Sequence, residues 1–63
     1  MNDLMLVPEV SIKTRIPEAT LRWMRHVGTG PKSFKLGRRV VYKRADVEAW
    51  IEEQYQASVK EPA

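Results

Sequence analysis

The sequence predicts a mainly helical α+β fold in which two short helices precede a β-hairpin and a longer helix closes the chain. Proline–glutamate pairs open two short segments, a glycine-first turn separates two strands, and the last segment repeats apolar residues at helical spacing. With 63 residues and no cysteine, we expect one small domain with one core and no disulfide. No apolar run approaches the roughly 18 residues of a membrane span, so we expect a cytoplasmic protein.

The first two helices are predicted by their prolines. Pro8 with Glu9 favours a helix over about 8–13, because proline suits the first turn and a carboxylate favours the positive end of the helix dipole. Pro17 holds the preceding residue in extended geometry, which forces a turn, and it opens a second helix that runs to His26 or Val27. Gly28 then occupies the left-handed position that closes many helices.

The second helix has two different faces when its residues are placed at about 100° intervals. The arc expected to pack inward holds Thr20, Leu21, Met24 and Val27. The opposite, exposed arc holds Glu18, Ala19, Arg22, Arg25 and His26, with Trp23 at the border. An apolar stripe behind a face with two arginines and a histidine is typical of a recognition helix.

The hairpin consists of strands 33–36 and 39–42, joined by Gly37 and Arg38 in a type II′ turn. Phe34, Leu36 and Val41 are expected to face the core, with Lys35, Val40 and Tyr42 on the opposite face. The closing helix should run from residue 44 or 45 to Gln56. Its predicted inner face holds Val47, Trp50, Ile51, Gln54 and Tyr55. These elements make a single small winged helix-turn-helix domain over residues 1–56, and a flexible tail is expected at 57–63.

The charges are strongly segregated along the chain. Eight cations and no carboxylate lie between Arg22 and Arg44, whereas residues 1–21 carry a net charge of −1 and residues 45–63 a net charge of −4. Such a basic block, with aromatic residues between the cations, favours a surface that binds a polyanion. The alternative is a solvated basic face without a partner, and the helix-turn-helix order favours DNA.

The segment PEATLRWMRHVGTGPKSFKLGRRVVYKRADVEAW resembles the excisionase and prophage-regulator branch of the MerR-type winged-helix proteins. That branch has a helix of the form TLRYW, a Gly-x-Gly-Pro loop, a K-x-G-R-R wing and a closing Asp-Val-Glu-Ala-Trp helix. The resemblance covers about residues 4–52 and is close to small actinobacteriophage excisionases. Three positions depart from the pattern: Met24 replaces the second aromatic, Arg15 the turn glycine, and Pro17 the Ser or Thr cap.

The resemblance implies a protein without catalytic activity that bends double-stranded DNA. Excisionases of this kind bind as several copies at an attachment-site arm and direct the phage integrase towards excision. The segregated charges add the expectation of head-to-tail self-association on DNA. A prophage transcriptional regulator with the same fold is the alternative, and a protein-binding module that uses the acidic closing helix is a third hypothesis.

Each candidate residue has a predicted role. Arg22 and Arg25 are expected to reach a guanine edge and a phosphate in the major groove, the alternative being two phosphate contacts. Glu18 and Ala19 are placed to sense cytosine or a thymine methyl, although Glu18 also suits the helix dipole. Trp23 either lies against the sugar-phosphate backbone, as the resemblance implies, or packs in the core. His26 either contacts a phosphate or faces solvent.

The wing residues Arg38 and Arg39 are expected at the minor groove, the alternative being contact with the DNA backbone alone. Lys35, also in the wing, is expected to contact a phosphate. Predicted phosphate contacts are Lys32, Lys43 and Arg44. A single histidine and the absence of cysteine give no basis for a metal site or a catalytic dyad, so we expect no cofactor and no enzymatic activity.

Overall fold

The computed structural model describes residues 3–60 and contains three helices and one three-stranded antiparallel sheet within that range. In chain order the elements are β1 (Leu4–Leu6), α1 (Val7–Thr14), α2 (Glu18–Val27), β2 (Phe34–Leu36), β3 (Arg39–Lys43) and α3 (Arg44–Lys60). The predicted α+β winged helix-turn-helix architecture is confirmed. No helix in the described part of the chain is both long enough and apolar enough to cross a membrane.

Helix α1 begins and ends as its sequence dictates. The Glu9 carboxylate accepts a hydrogen bond from the Leu6 backbone N–H at 2.8 Å, which caps the first turn. Arg15 follows the last helical residue in the left-handed region, with φ 61° and ψ 30°. The Ser11 hydroxyl donates to the Ile16 carbonyl at 2.6 Å across the turn. These bonds fix the angle at which α2 leaves α1.

Helix α2 ends at a glycine cap. Gly28 has φ 81°, and its N–H donates to the Met24 carbonyl at 2.8 Å. The Thr29 N–H donates to the same carbonyl at 2.9 Å. The predicted C-terminal position is therefore confirmed, and the chain is turned sharply towards the wing.

The sheet has the strand order β1-β3-β2, so β3 lies in the centre. Gly37 has φ 67° and Arg38 has no positive φ, as a type II′ turn requires, and the register Leu36–Arg39 leaves these two residues as the loop. Strand β1 was not among the elements predicted from the sequence, in which Leu4–Leu6 is a short apolar run. Its pairing with β3 places Met5 opposite Tyr42.

That pairing reverses the predicted orientation of the hairpin. The core holds Met5, Val10, Leu21, Tyr42 and Val47, with Val7, Ile16, Val40 and Ile51 packed against it. The prediction that Phe34 and Leu36 face the core is wrong, because Phe34 is 41% exposed and Leu36 is 54% exposed. Val41, on the same side of the sheet, is buried as predicted, at 4% exposed, but does not belong to this core cluster. The reason is non-local, because α1 and α3 cover the side of β3 that carries Val40 and Tyr42.

On helices α2 and α3, fewer residues pack inward than the sequence predicted. Within α2, Leu21 is buried and Met24 half-buried, but Thr20 and Val27 at the edges of the arc are exposed. Within α3, Val47 is buried and Trp50 and Ile51 are half-buried. Gln54 and Tyr55 are exposed because the helix has passed the end of the core at that point. The helix extends beyond the predicted end at Gln56, and residues 61–63 of the predicted tail lie outside the described residues.

Candidate nucleic-acid interface

The exposed face of α2 is held outward by one deeply buried residue. Leu21 is 1% exposed and anchors the middle of the helix in the core. All six predicted recognition residues are exposed: Glu18, Ala19, Arg22, Trp23, Arg25 and His26. Trp23 is 61% exposed, which excludes the interpretation of this indole as a core residue. Helix α2 therefore offers an amphipathic indole and three basic side chains to a partner.

Arg22 is loosely held by Glu18 one turn earlier. Their closest atoms, Arg22 Nη1 and Glu18 Oε1, are 3.8 Å apart, and both side chains are about half exposed. An ion pair of this kind at a surface contributes little to stability. Arg22 can therefore exchange this carboxylate for a base edge or phosphate at little cost, while Glu18 remains favourable at the helix N-terminus.

The positive charge of Arg25 lies close enough to the sheet to act on Tyr42. Burial raises the pKa of the Tyr42 hydroxyl, and the positive charge of nearby Arg25 partly opposes that rise. Arg25 also borders a shallow surface hollow together with Lys32 and Ser33, in the loop before the wing. The fold thus brings together two cations that are separated in sequence, one on α2 and one on the loop.

The loop between α2 and the wing is fixed by a contact that the sequence analysis did not identify. The Trp50 indole N–H of α3 donates to the Thr29 carbonyl at 3.2 Å. Pro31 is buried, and a Cβ on Gly30 would lie 3.1 Å from Met24 Cβ. The Gly-x-Gly-Pro loop is therefore packed tightly between α2 and α3, which sets the position of the wing relative to the recognition helix.

The wing cations point in different directions. Arg38 is exposed in the turn at the tip of the hairpin. Lys35 pairs in register with Val40 and lies on the side of the sheet that faces the core, beyond its edge. Arg39 lies on the opposite, outer side, with Val41. The three predicted wing residues are all exposed but do not share one face.

Lys43 and Arg44 lie apart from this group. Both border a hollow that also contains the carboxylate residues Asp3, Asp46 and Glu48. The Arg44 backbone N–H donates to the Asp3 carbonyl at 2.6 Å, which fixes the start of α3 against the strand β1. These two cations therefore stand in mixed-charge surroundings, unlike the cations of α2 and the wing.

Within residues 3–60, no three or more histidine, cysteine, aspartate or glutamate side chains are grouped as a metal site would require. The hollows described above are shallow and open, and the basic surface consists of a helix and a hairpin tip that protrude. Protruding cations of this kind suit the grooves and phosphates of a duplex better than they suit a small molecule.

Comparison with known families agrees with this geometry. A family model described as a helix-turn-helix domain matches residues 4–55, from β1 through most of α3. No curated protein matches the chain. Since the match covers the helix pair, the sheet and the closing helix, the chain belongs to the helix-turn-helix domain family of DNA-binding proteins.

Proposed function

We propose that this protein is a phage excisionase of the MerR-like winged-helix type, which binds and bends DNA at an attachment-site arm and directs integrase towards excision. The observation that carries the proposal is the combination of an exposed basic recognition helix with a basic wing on one small helix-turn-helix domain. The protein acts in the cytoplasm of the bacterial host, on DNA, and contributes no catalytic group.

In this proposal α2 enters the major groove. Arg22 and Arg25 are one turn apart on its exposed face, so that one reads a guanine edge while the other contacts a phosphate. Trp23 lies against the sugar-phosphate backbone beside them, and His26 at the end of the helix contacts a phosphate. Glu18 and Ala19 lie at the start of the helix, where side chains of a recognition helix meet base edges.

The wing occupies the adjacent minor groove. Arg38 at the tip is the side chain best placed to enter a narrow A·T-rich groove. Lys35 and Arg39 lie on opposite sides of the sheet, so at most one of them accompanies Arg38 towards the groove. The Trp50 hydrogen bond and the close approach of Gly30 to Met24 support the inference that the helix and the wing act as a rigid body and that the duplex deforms to meet both. This rigidity is the physical basis for proposing that the DNA is bent.

Binding should depend steeply on salt concentration. If about five phosphates are neutralised by the wing and by Lys32, Lys43 and Arg44, the logarithm of the binding constant falls with the logarithm of salt concentration at a slope of about −4 to −5. Copies on neighbouring sites contact one another head to tail, and the resulting complex meets the integrase.

The proposal is tested by gel-shift titration on the attachment-site arm of the cognate phage, with random DNA at matched salt concentration. We expect a ladder of cooperative complexes on the arm, lost with Arg22→Ala and weakened with Arg38→Ala. Lys13→Ala is the matched control, because Lys13 is paired with Glu48 at 3.6 Å and its loss should leave DNA affinity unchanged.

An excision reaction with purified integrase then separates the excisionase from its alternative. Stimulation of excision by the wild type, but not by Arg22→Ala, supports the proposal. Specific binding that represses a prophage promoter without stimulating excision would instead identify a transcriptional regulator. Equally weak binding to the arm and to random DNA would refute sequence-specific recognition.

A further inference from the structure

The outer face of the sheet is apolar, and the helices of residues 3–60 join the core on the other side of the sheet. This outer face, defined by Leu4, Leu6, Phe34, Leu36 and Val41, is the side of the sheet opposite to the core. Leu6, Val41 and Phe34 lie side by side in one row across the three strands. Val41 is only 4% exposed because its two neighbours flank it, whereas Phe34 and Leu36 remain 41% and 54% exposed. A small protein that exposes two such large side chains together carries an interaction surface.

The outer face has a hollow and a basic border. The hollow, with a volume of about 420 Å³, is lined by Leu4, Leu6, Glu9, Leu36, Arg39 and Val41. On β3 the apolar centre Val41 lies between Arg39 and Lys43, which point to the same side of the strand. Glu9 is the carboxylate in the lining, and its Oε1 atom already accepts the Leu6 N–H. A partner for this face therefore needs apolar side chains and negative charge.

The last two turns of α3 have that composition. The α3 end, defined as Glu52–Val59, carries two carboxylates and no cation. Every residue in it is exposed, and Tyr55 and Val59 are 59% and 60% exposed. At helical spacing Glu52, Tyr55 and Val59 lie on one stripe, next to the positions that face the core earlier in the helix. The α3 end is thus an amphipathic helix segment, and among residues 3–59 its polar contact is the internal hydrogen bond from Gln56 Nε2 to Glu52 Oε2.

The α3 end cannot reach the outer face of its own sheet. The helix begins at Arg44, directly after β3, and its buried residue Val47 joins Tyr42 in the core on the opposite side of the sheet. It continues without interruption to Lys60, so the chain has no turn that would bring Tyr55 back across the sheet. An α3 end that occupies the outer face must therefore come from another molecule.

We propose that the outer face binds the α3 end of a second copy of this chain, with Tyr55 and Val59 over Leu36 and Phe34 and with Glu52 near Arg39, the cation that borders the hollow of this face. The Glu52 carboxylate complements the Arg39 guanidinium, and both surfaces expose large apolar side chains. The two contacting surfaces differ, so the interface is heterologous and leaves one free outer face and one free α3 end for further copies. This contact deepens the cooperative DNA binding proposed above by naming the surfaces that meet.

Disulfide trapping tests the contact directly, because the natural chain has no cysteine. The variant Leu36→Cys with Tyr55→Cys in one chain should give a ladder of covalent oligomers under mild oxidation, and DNA with several sites should increase its yield. Each single-cysteine variant should remain monomeric, whereas a mixture of the two should give dimers only. The matched control is Ile12→Cys with Tyr55→Cys, because Ile12 is 79% exposed but lies on α1.

The outcomes are decisive in both directions. Dimers from either single variant alone would indicate a symmetric interface and overturn the proposal. A ladder of equal yield from the Ile12 control would also overturn it, because the cross-linking would then not depend on the outer face. The absence of a ladder with well-folded protein, judged by circular dichroism, would also overturn it. Leu36 and Tyr55 are both more than half exposed, so their substitution should leave the fold intact.

A DNA-binding measurement keeps this proposal separate from the proposed function. Tyr55→Ser and Leu36→Ser should reduce cooperativity on a multi-site arm about tenfold, the size of effect expected when one central side chain of an interface is removed. Affinity for a duplex with a single site should not change. If these variants kept the cooperativity of the wild type, the docking surface would be refuted and the proposed function would stand. If the wild type showed no specific binding to a single site, the proposed excisionase function would be refuted instead.

Discussion

The replacement Arg15→Gly should stabilise the protein. Arg15 has φ 61° and ψ 30°, a left-handed conformation that costs an L-residue about 1–2 kcal/mol because its Cβ crowds the following carbonyl. Glycine removes that cost, but it also gives the unfolded chain more conformational freedom, which cancels about 0.4–1 kcal/mol of the stabilisation. The net increase in the free energy of unfolding should be about 0.5–1 kcal/mol.

Thermal unfolding followed by circular dichroism is the appropriate assay. For a domain of this size each kcal/mol shifts Tm by about 4–8 °C, so we expect Arg15→Gly to raise Tm by about 2–8 °C. Arg15→Ala is the control: it removes the guanidinium but keeps the Cβ, and it should give no comparable gain. The reciprocal replacement is Gly28→Ala, where φ is 81° and an added Cβ would meet nothing within 4 Å. It should lower stability through backbone strain alone.

Two results would refute this reasoning. If Arg15→Ala stabilised the protein as much as Arg15→Gly, the effect would come from removing a positive charge rather than from the backbone. If Arg15→Gly lowered Tm while Gly28→Ala had no effect, the left-handed residues at the two helix ends would not carry the strain assigned to them.

Three further predictions concern the loop and the core. Gly30→Ala should lower the free energy of unfolding by about 1 kcal/mol, measured in urea, because its Cβ would lie 3.1 Å from Met24 Cβ. Trp50→Phe should cost about 1 kcal/mol in the same assay through loss of the hydrogen bond to Thr29, and an unchanged midpoint would contradict that contact. Burial raises the pKa of Tyr42 in the folded state, so the unfolded state releases the proton first and stability should fall as pH rises above about 10. Tyr42→Phe should reduce that fall, which is measured as Tm from pH 8 to 11.

Local signals in the sequence predicted the local structure well. Pro8, Pro17 and Gly28 gave the ends of α1 and α2, and Gly37 gave the turn of the wing. Each of these residues acts through its own φ or its missing N–H, which depends little on the rest of the chain. The departure of Arg15 from the family pattern was also visible, and the structure shows that this residue adopts the left-handed conformation of a glycine.

Non-local pairing explains what the sequence did not reveal. Three apolar residues at Leu4–Leu6 are too few to distinguish a strand from a helix start, and only their pairing with β3 shows which side of the wing is inside. The hairpin alone offered two apolar faces, Phe34 with Leu36 and Val40 with Tyr42. The candidate recognition residues were easier to place, because a cation at the surface of a helix is exposed whichever strand pairs with the wing.

The reversed wing changes how the basic block is interpreted. With Val40 and Tyr42 inside, Arg39 lies on the outer, apolar side of the sheet, while Arg38 remains at the tip and Arg25 lies near Tyr42. One continuous run of cations in the sequence is therefore divided between two surfaces in the fold. In the two proposals made above, the recognition helix and the wing tip face a duplex, whereas the outer sheet face binds the acidic end of another helix. Net charge alone does not distinguish these surfaces, but the alternation of side chains along β3 does, because successive residues must point to opposite sides of the sheet.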